Sequence, residues 1–278
     1  GGCEPCRAGR PALCEPGLRA NTAGTLLSGA RRLRRNGTPL HHLLGVAAFA
    51  EYAVMARESV VRIDADLDFA QAAVFGCAVM TGTGAVLNTA ALPPQARVAI
   101  VGLGGVGLAA LLGAKLREPR TLVAVDLSAA KRELACSLGA TAAFDASAAD
   151  VVAQIRDATG GGVDYAFEMA GSVRALELAY QITRRGGTTV TAGLSHPDAR
   201  LALSHLSLVA EERTLKGSYL GSCVPRRDIP LYIEHFRAGR LPVDRLLAER
   251  VTLAELNAAF DRLASGQTVR QIVEFPPA

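Results

Sequence analysis

Tryptophan is absent from this chain, and only five tyrosines and eight phenylalanines occur among its 278 residues. So few aromatic faces leave no platform on which nucleic-acid bases could stack. A dominant charge is missing as well: 30 Lys and Arg stand against 26 Asp and Glu, a net charge of +4. That balance argues against a nucleic-acid binder. No leader or membrane-spanning stretch is visible, which predicts a cytoplasmic protein without a membrane partner. The most apolar run, Val98 to Ala114, is short for a span and carries five glycines. An initiating Met is lacking too, since the chain opens Gly1-Gly2, and the expectation is that an upstream segment is missing. Half of the residues are apolar and a fifth are charged, as in a soluble globular protein large enough for two lobes.

The organising stretch is Arg97 to Lys115. Four apolar residues, Val98 to Val101, read as a buried strand, followed by Gly102-Leu-Gly104-Gly105-Val106-Gly107 and a helix. In this pattern the first glycine allows a tight turn, the second admits a pyrophosphate, and the third lets helix and strand pack closely. The free N–H groups at the helix start would face that phosphate. A second apolar strand, Thr121 to Val125, ends in Asp126, where an acid would hold ribose hydroxyls.

The six cysteines are Cys3, Cys6, Cys14, Cys77, Cys136 and Cys223. Cys3-x2-Cys6-x7-Cys14 reads as three thiolates of a zinc lobe rather than a disulfide framework, with the fourth tetrahedral ligand unaccounted for. Cys77, Cys136 and Cys223 read on their own as small buried hydrophobes. The basic run Ala30 to Arg35 reads as a solvated loop. Phe49 to Ala56 and Ser59 to Ile63 read as strands. Asp68 to Met80 reads as a helix, and Thr81-Gly-Thr-Gly84 as a glycine-rich start to a second helix over 85–91. From residue 97 to 220 strands and helices alternate, giving six strands in two mononucleotide-binding halves. Arg226 to Arg237 and Leu253 to Leu263 read as amphipathic helices, and Gln271 to Phe275 as a closing strand.

Taken in order, Cys3-Glu-Pro-Cys6, Cys14, Gly76-Cys77-Ala-Val-Met-Thr81-Gly82, Gly102 to Gly107, Asp126, Lys131 and Ser265-Gly-Gln-Thr-Val-Arg270 resemble the zinc-dependent medium-chain alcohol dehydrogenases. The resemblance runs from Gly1 to Phe275. It implies a Rossmann doubly wound parallel sheet of six strands plus part of a GroES-like β-barrel. The implied division is 1–78 and 221–278 for the catalytic domain and 79–220 for the NAD-binding domain.

The resemblance also implies roles. Cys77 matches a catalytic zinc ligand, Thr81 a nicotinamide-side contact, and Phe49 a wall of the substrate pocket. Gly102, Gly104, Gly105 and Gly107 match the pyrophosphate loop, with Val106 against the nicotinamide. Asp126 and Lys131 match the adenosine ribose pair, and Met169 and Ala170 line the adenosine side. Ala192, Gly193, Leu194, Ser218 and Leu220 match main-chain contacts to the nicotinamide half. Arg270 matches a pyrophosphate-gripping arginine. The other two catalytic ligands of the family would precede Gly1, so this chain alone is expected to be inactive. Leu18 stands where the glutathione-dependent branch has an arginine, against that substrate. The implied whole is a homodimer that moves hydride between an alcohol and NAD with zinc as Lewis acid. Two alternatives remain: a zinc-free reductase of the same superfamily, and a non-catalytic dinucleotide-binding protein.

Overall fold

The computed structural model describes residues 1–266 and 268–275. The chain starts as an irregular lobe with two short helices, α1 (Glu4–Arg7) and α2 (Glu15–Ala23). Gly24 ends α2 in the left-handed conformation, the usual glycine stop. The basic run then leads into a two-residue antiparallel pair, β1 (Arg34–Arg35) and β2 (Thr38–Pro39). Arg31 donates to the Ala23 carbonyl and Arg34 to that of Gly37, so these two arginines are used locally. His42, also in this lobe, is buried and accepts the backbone N–H of Arg32 at 2.9 Å, a structural task.

Two expectations fail in the next stretch. No strand forms over 49–56 or 59–63; Arg57–Ser59 is a 3-10 turn. The residues are apolar and aromatic enough for a strand, but a strand exists only where a neighbour pairs with its backbone. Nor does the helix break at Thr81–Gly84. One helical run, α3 (Phe69–Thr89), crosses it, capped by the Asp68 carboxylate on the N–H groups of Ala70 and Gln71. Its glycines permit close approach. A Cβ at Gly82 would lie 2.1 Å from the Val106 carbonyl oxygen, and one at Gly84 would lie 2.5 Å from Cys223 Sγ. α3 is long and apolar enough to cross a membrane, yet 67% of its apolar window is buried inside the protein, as in a core helix.

Six parallel strands follow: β3 (Arg97–Val101), β4 (Thr121–Asp126), β5 (Ala142–Asp145), β6 (Val163–Glu168), β7 (Thr183–Thr191) and β8 (Thr214–Gly217). They lie in the order β5-β4-β3-β6-β7-β8. The reversal at β3 is the switch point of a doubly wound sheet. Helices α4 (Gly105–Lys115), α5 (Ala129–Ser137), α6 (Val151–Ala158), α7 (Val173–Ile182) and α8 (His205–Ala210) connect the strands. β3 divides its side chains by parity. Val98 and Ile100 pack with Leu108, Leu111 and Leu122 in one cluster, and Ala99 and Val101 with Val123, Ile155 and Ile182 in the other. Each fully buried aliphatic side chain contributes about 1.5–3 kcal/mol, and both faces are covered.

The chain closes with α9 (Pro225–Arg237), a parallel pair of β9 (Glu249–Thr252) and β10 (Gln271–Glu274), and α10 (Leu256–Ala264) between them.

The amino end of the sheet is clamped by Asp164. Its carboxylate takes the backbone N–H of Arg97 at 2.7 Å, the Arg97 guanidinium at 3.1 Å, and Arg184. Burial alone would raise the Asp164 pKa, but the Arg97 side chain and N–H, then Arg184, outweigh it and hold it at about 2. A carboxyl depressed below its unfolded value near 3.9 adds stability above that value and loses it as pH falls through the folded one. Asp164→Asn should therefore lower Tm at neutral pH. Wild type should lose its advantage over the variant between pH about 4 and about 2. Equal melting curves at pH 7 would remove the clamp.

Candidate functional site

The glycine loop begins at the carboxyl end of β3. Gly102 turns at φ +91°, and a Cβ there would sit 2.7 Å from the Ala170 backbone nitrogen. Gly104 precedes α4 with no side chain capping the helix, so the first N–H groups of α4 are left for a ligand. Space beside Gly104 is open: a Cβ there would meet nothing within 4 Å. Arg270 lies across the next residue, its Nε 2.3 Å from where a Gly105 Cβ would be. That Nε is buried and has no hydrogen-bond partner among the described residues. An uncapped helix start beside an orphaned guanidinium N–H is a site for an anion, and a pyrophosphate fits it.

Asp126 ends β4 next to this loop. Its carboxylate accepts the N–H of Leu103 at 2.6 Å and of Ser128 at 2.9 Å, and it stays partly exposed. It can therefore take sugar hydroxyls on its outer lone pairs. Lys131 is on α5, capped by Ser128, and its Nζ reaches toward Gly266.

Met169 is buried and Ala170 exposed at the end of β6, and Ala192, Gly193 and Leu194 follow β7. Between these two loops stands Glu168, which sequence reasoning missed. It is 1% exposed, and its oxygens accept the Gly171 N–H and the Thr191 hydroxyl, each at 2.6 Å. An acid at the carboxyl end of a strand, as Asp126 is, was the signal. Ser218 is buried, donates its N–H to the Thr191 carbonyl at 2.8 Å, and shares a hydroxyl contact with Thr89 at 2.7 Å. Leu220 follows at φ +49°. A cleft of about 360 Å³ opens here between these loops and the cysteine lobe.

In that lobe the sulfurs of Cys3, Cys6 and Cys14 lie within 4.8 Å of one another, close enough to share one tetrahedral ion. The Cys3 thiol is pulled down to about 7 by the backbone N–H of Cys6, then that of Glu15. The Cys6 thiol is pushed up, first by its hydrogen bond with Cys3. These three form the one group of three or more candidate ligands among the described residues, and Cys77 is outside it.

Cys77 sits in a π-helical turn of α3, Phe75–Val79, and is exposed rather than buried among apolar side chains. Such turns commonly mark functional positions. Cys136 is exposed as well, also against expectation, whereas Cys223 is buried, its thiol pushed up to about 12, chiefly by burial. Thr81 is buried one residue from the α3–α4 contact. Phe49 is 53% exposed and packs edge-on against Phe260 at 5.8 Å, not on the cleft lining.

The model of the family described as zinc-binding dehydrogenase matches residues 105–238. Alcohol dehydrogenase 1 of Cenchrus americanus is 34% identical over 276 residues, covering 98% of this chain and 72% of that protein. The chain belongs to the zinc-dependent medium-chain alcohol dehydrogenase family. A zinc-binding alcohol dehydrogenase structure from Burkholderia ambifaria matches 100% of this chain and 75% of its own, at 32% identity and a TM-score of 0.93. A zinc-binding dehydrogenase from Sinorhizobium meliloti, solved with NADP, matches 99% and 73% at 26% identity and a TM-score of 0.79. The sheet is the family's Rossmann domain, accompanied by part of its GroES-like domain, and the family's cofactors are zinc and a nicotinamide dinucleotide.

Proposed function

We propose that this chain is the dinucleotide-binding and cysteine-lobe portion of an alcohol dehydrogenase that moves hydride between a primary or secondary alcohol and NAD. The observation that carries the reading is the buried Nε of Arg270, unpartnered among the described residues, beside the uncapped start of α4. When bound, the nicotinamide supplies the hydride acceptor and zinc a Lewis acid for the alcohol oxygen. The protein's own residues do the rest. Arg270 and the loop at Gly104 grip the pyrophosphate, and Asp126 takes the adenosine ribose. Glu168 fixes the loops that flank the cofactor. Cys3, Cys6 and Cys14 hold a structural zinc. Cys77 would supply one ligand of a catalytic zinc, a site that needs three protein ligands and an open position, and among the described residues it stands outside any group of three candidate ligands.

Cofactor choice is the test. A 2′-phosphate at Asp126 would meet a like charge, at a cost on the order of several kcal/mol. Fluorescence titration should give tighter binding of NADH than NADPH, with Asp126→Asn narrowing the gap. Equal affinities for wild type would end the preference, and binding of neither would end the cofactor reading.

A homodimer is part of the proposal. Among the described residues β8 pairs only with β7 in the sheet, and its residues are mostly exposed, which leaves its outer edge to extend the sheet across a two-fold axis. A monomer in sedimentation at micromolar concentration would remove this part.

A further inference from the structure

One wall of the cleft at the carboxyl ends of β7 and β8 has no task in binding the dinucleotide. The loops after β7 and β8 form one side, and Arg10, Ala12 and Leu13 of the cysteine lobe form another. Among the described residues Arg10 is the one charged residue on the lining, which includes no carboxylate. Its guanidinium makes no hydrogen bond or ion pair among the described residues. Arg97, Arg132 and Arg213, by contrast, each hold a carboxylate. The remaining polar side chains of the cleft are hydroxyls, among them Ser218 and Ser222. Leu13 and Leu194 add exposed apolar surface at its walls.

The strand order locates this cleft on the reacting half of the dinucleotide. Asp126 on β4 places the adenosine on one side of β3, and the pyrophosphate lies at the start of α4. The nicotinamide half must then extend over β6, β7 and β8. A substrate beside it meets hydroxyls, two leucines and one uncompensated cation. A guanidinium presents two parallel N–H groups that match a carboxylate. A dianionic phosphate would call for a second cation or a helix start, and the cleft lining offers neither.

We propose that the enzyme takes alcohols or aldehydes that carry a carboxylate, and that Arg10 selects them by that group. The inference rests on the dinucleotide reading above, and the following experiment separates the two. The protein is loaded with NADH, and nucleotide fluorescence is followed while sodium hexanoate or hexanamide is added. Hexanoate should bind the NADH complex about tenfold or more tightly than its neutral amide, as a charge-assisted bidentate pair requires. Added salt should shrink the difference, since the site is open to solvent. Arg10→Ala should erase the preference and Arg10→Lys retain part of it, with NADH affinity unchanged in both. Arg10 is exposed, so neither variant opens a core cavity. Equal binding of acid and amide, or a preference that survives Arg10→Ala, overturns the inference while leaving the dinucleotide reading intact. Absence of NADH binding overturns both.

Discussion

Gly107→Ala should abolish dinucleotide binding and lower Tm together. The added Cβ would lie 1.8 Å from the carbonyl oxygen of Gly102, which belongs to the loop backbone and has no flexible end to give way. Overpacking of this kind costs about 3 kcal/mol, which in a domain of this size is roughly 6–12 °C in Tm. Gly104→Ala is the matched control. Its Cβ meets nothing within 4 Å, and its φ of −72° suits alanine, so the fold should keep its Tm. Dinucleotide affinity should still fall, because the open space beside Gly104 is where the pyrophosphate must come close. The pair separates packing from ligand approach. A Gly107→Ala protein that melts and binds like wild type would show that the loop does not hold this geometry.

Glu168→Gln should be the second most damaging change. The carboxylate accepts from two donors, the Gly171 N–H and the Thr191 hydroxyl. A carboxamide keeps the volume but turns an NH2 toward one of them. Leaving a buried donor unsatisfied costs about 1–3 kcal/mol. The loops after β6 and β7 would lose their link, and NADH should bind more weakly as well as the fold melting earlier. Thr191→Val removes one donor and should cost less. The two changes act on one contact, so the double variant should fall short of the sum. Full additivity, or unchanged NADH affinity in Glu168→Gln, would demote Glu168 to an ordinary buried residue.

The difference between what the sequence disclosed and what it hid is physical. The central strands were legible because parallel strands covered on both faces are written as apolar runs such as Val98 to Val101. The glycine loop and Asp126 were legible because their function demands fixed spacing along one short segment. Residues 49–63 were misread because strand pattern is local and strand pairing is not. Thr81–Gly84 was misread because glycine serves equally for a turn and for two helices in close contact, and only Val106 on the facing helix decides which. Glu168 and Arg10 lay hidden for the same reason. Their partners, Thr191 in one case and the loops after β7 and β8 in the other, are far away in sequence.

Asp126 and Glu168 are the same device used twice. Each is the last residue of a strand next to β3, and each carboxylate clasps a backbone N–H of the loop nearby. Solvent divides their labour. The partly exposed Asp126 has lone pairs open to solvent, so exchange for its isostere Asn can retune which dinucleotide is accepted while an oxygen still takes the Leu103 N–H. The enclosed Glu168 offers no such freedom, since every change there is answered by the chain itself. Attempts to redesign cofactor choice in this protein have an adjustable carboxylate on one flank of β3 and a fixed one on the other.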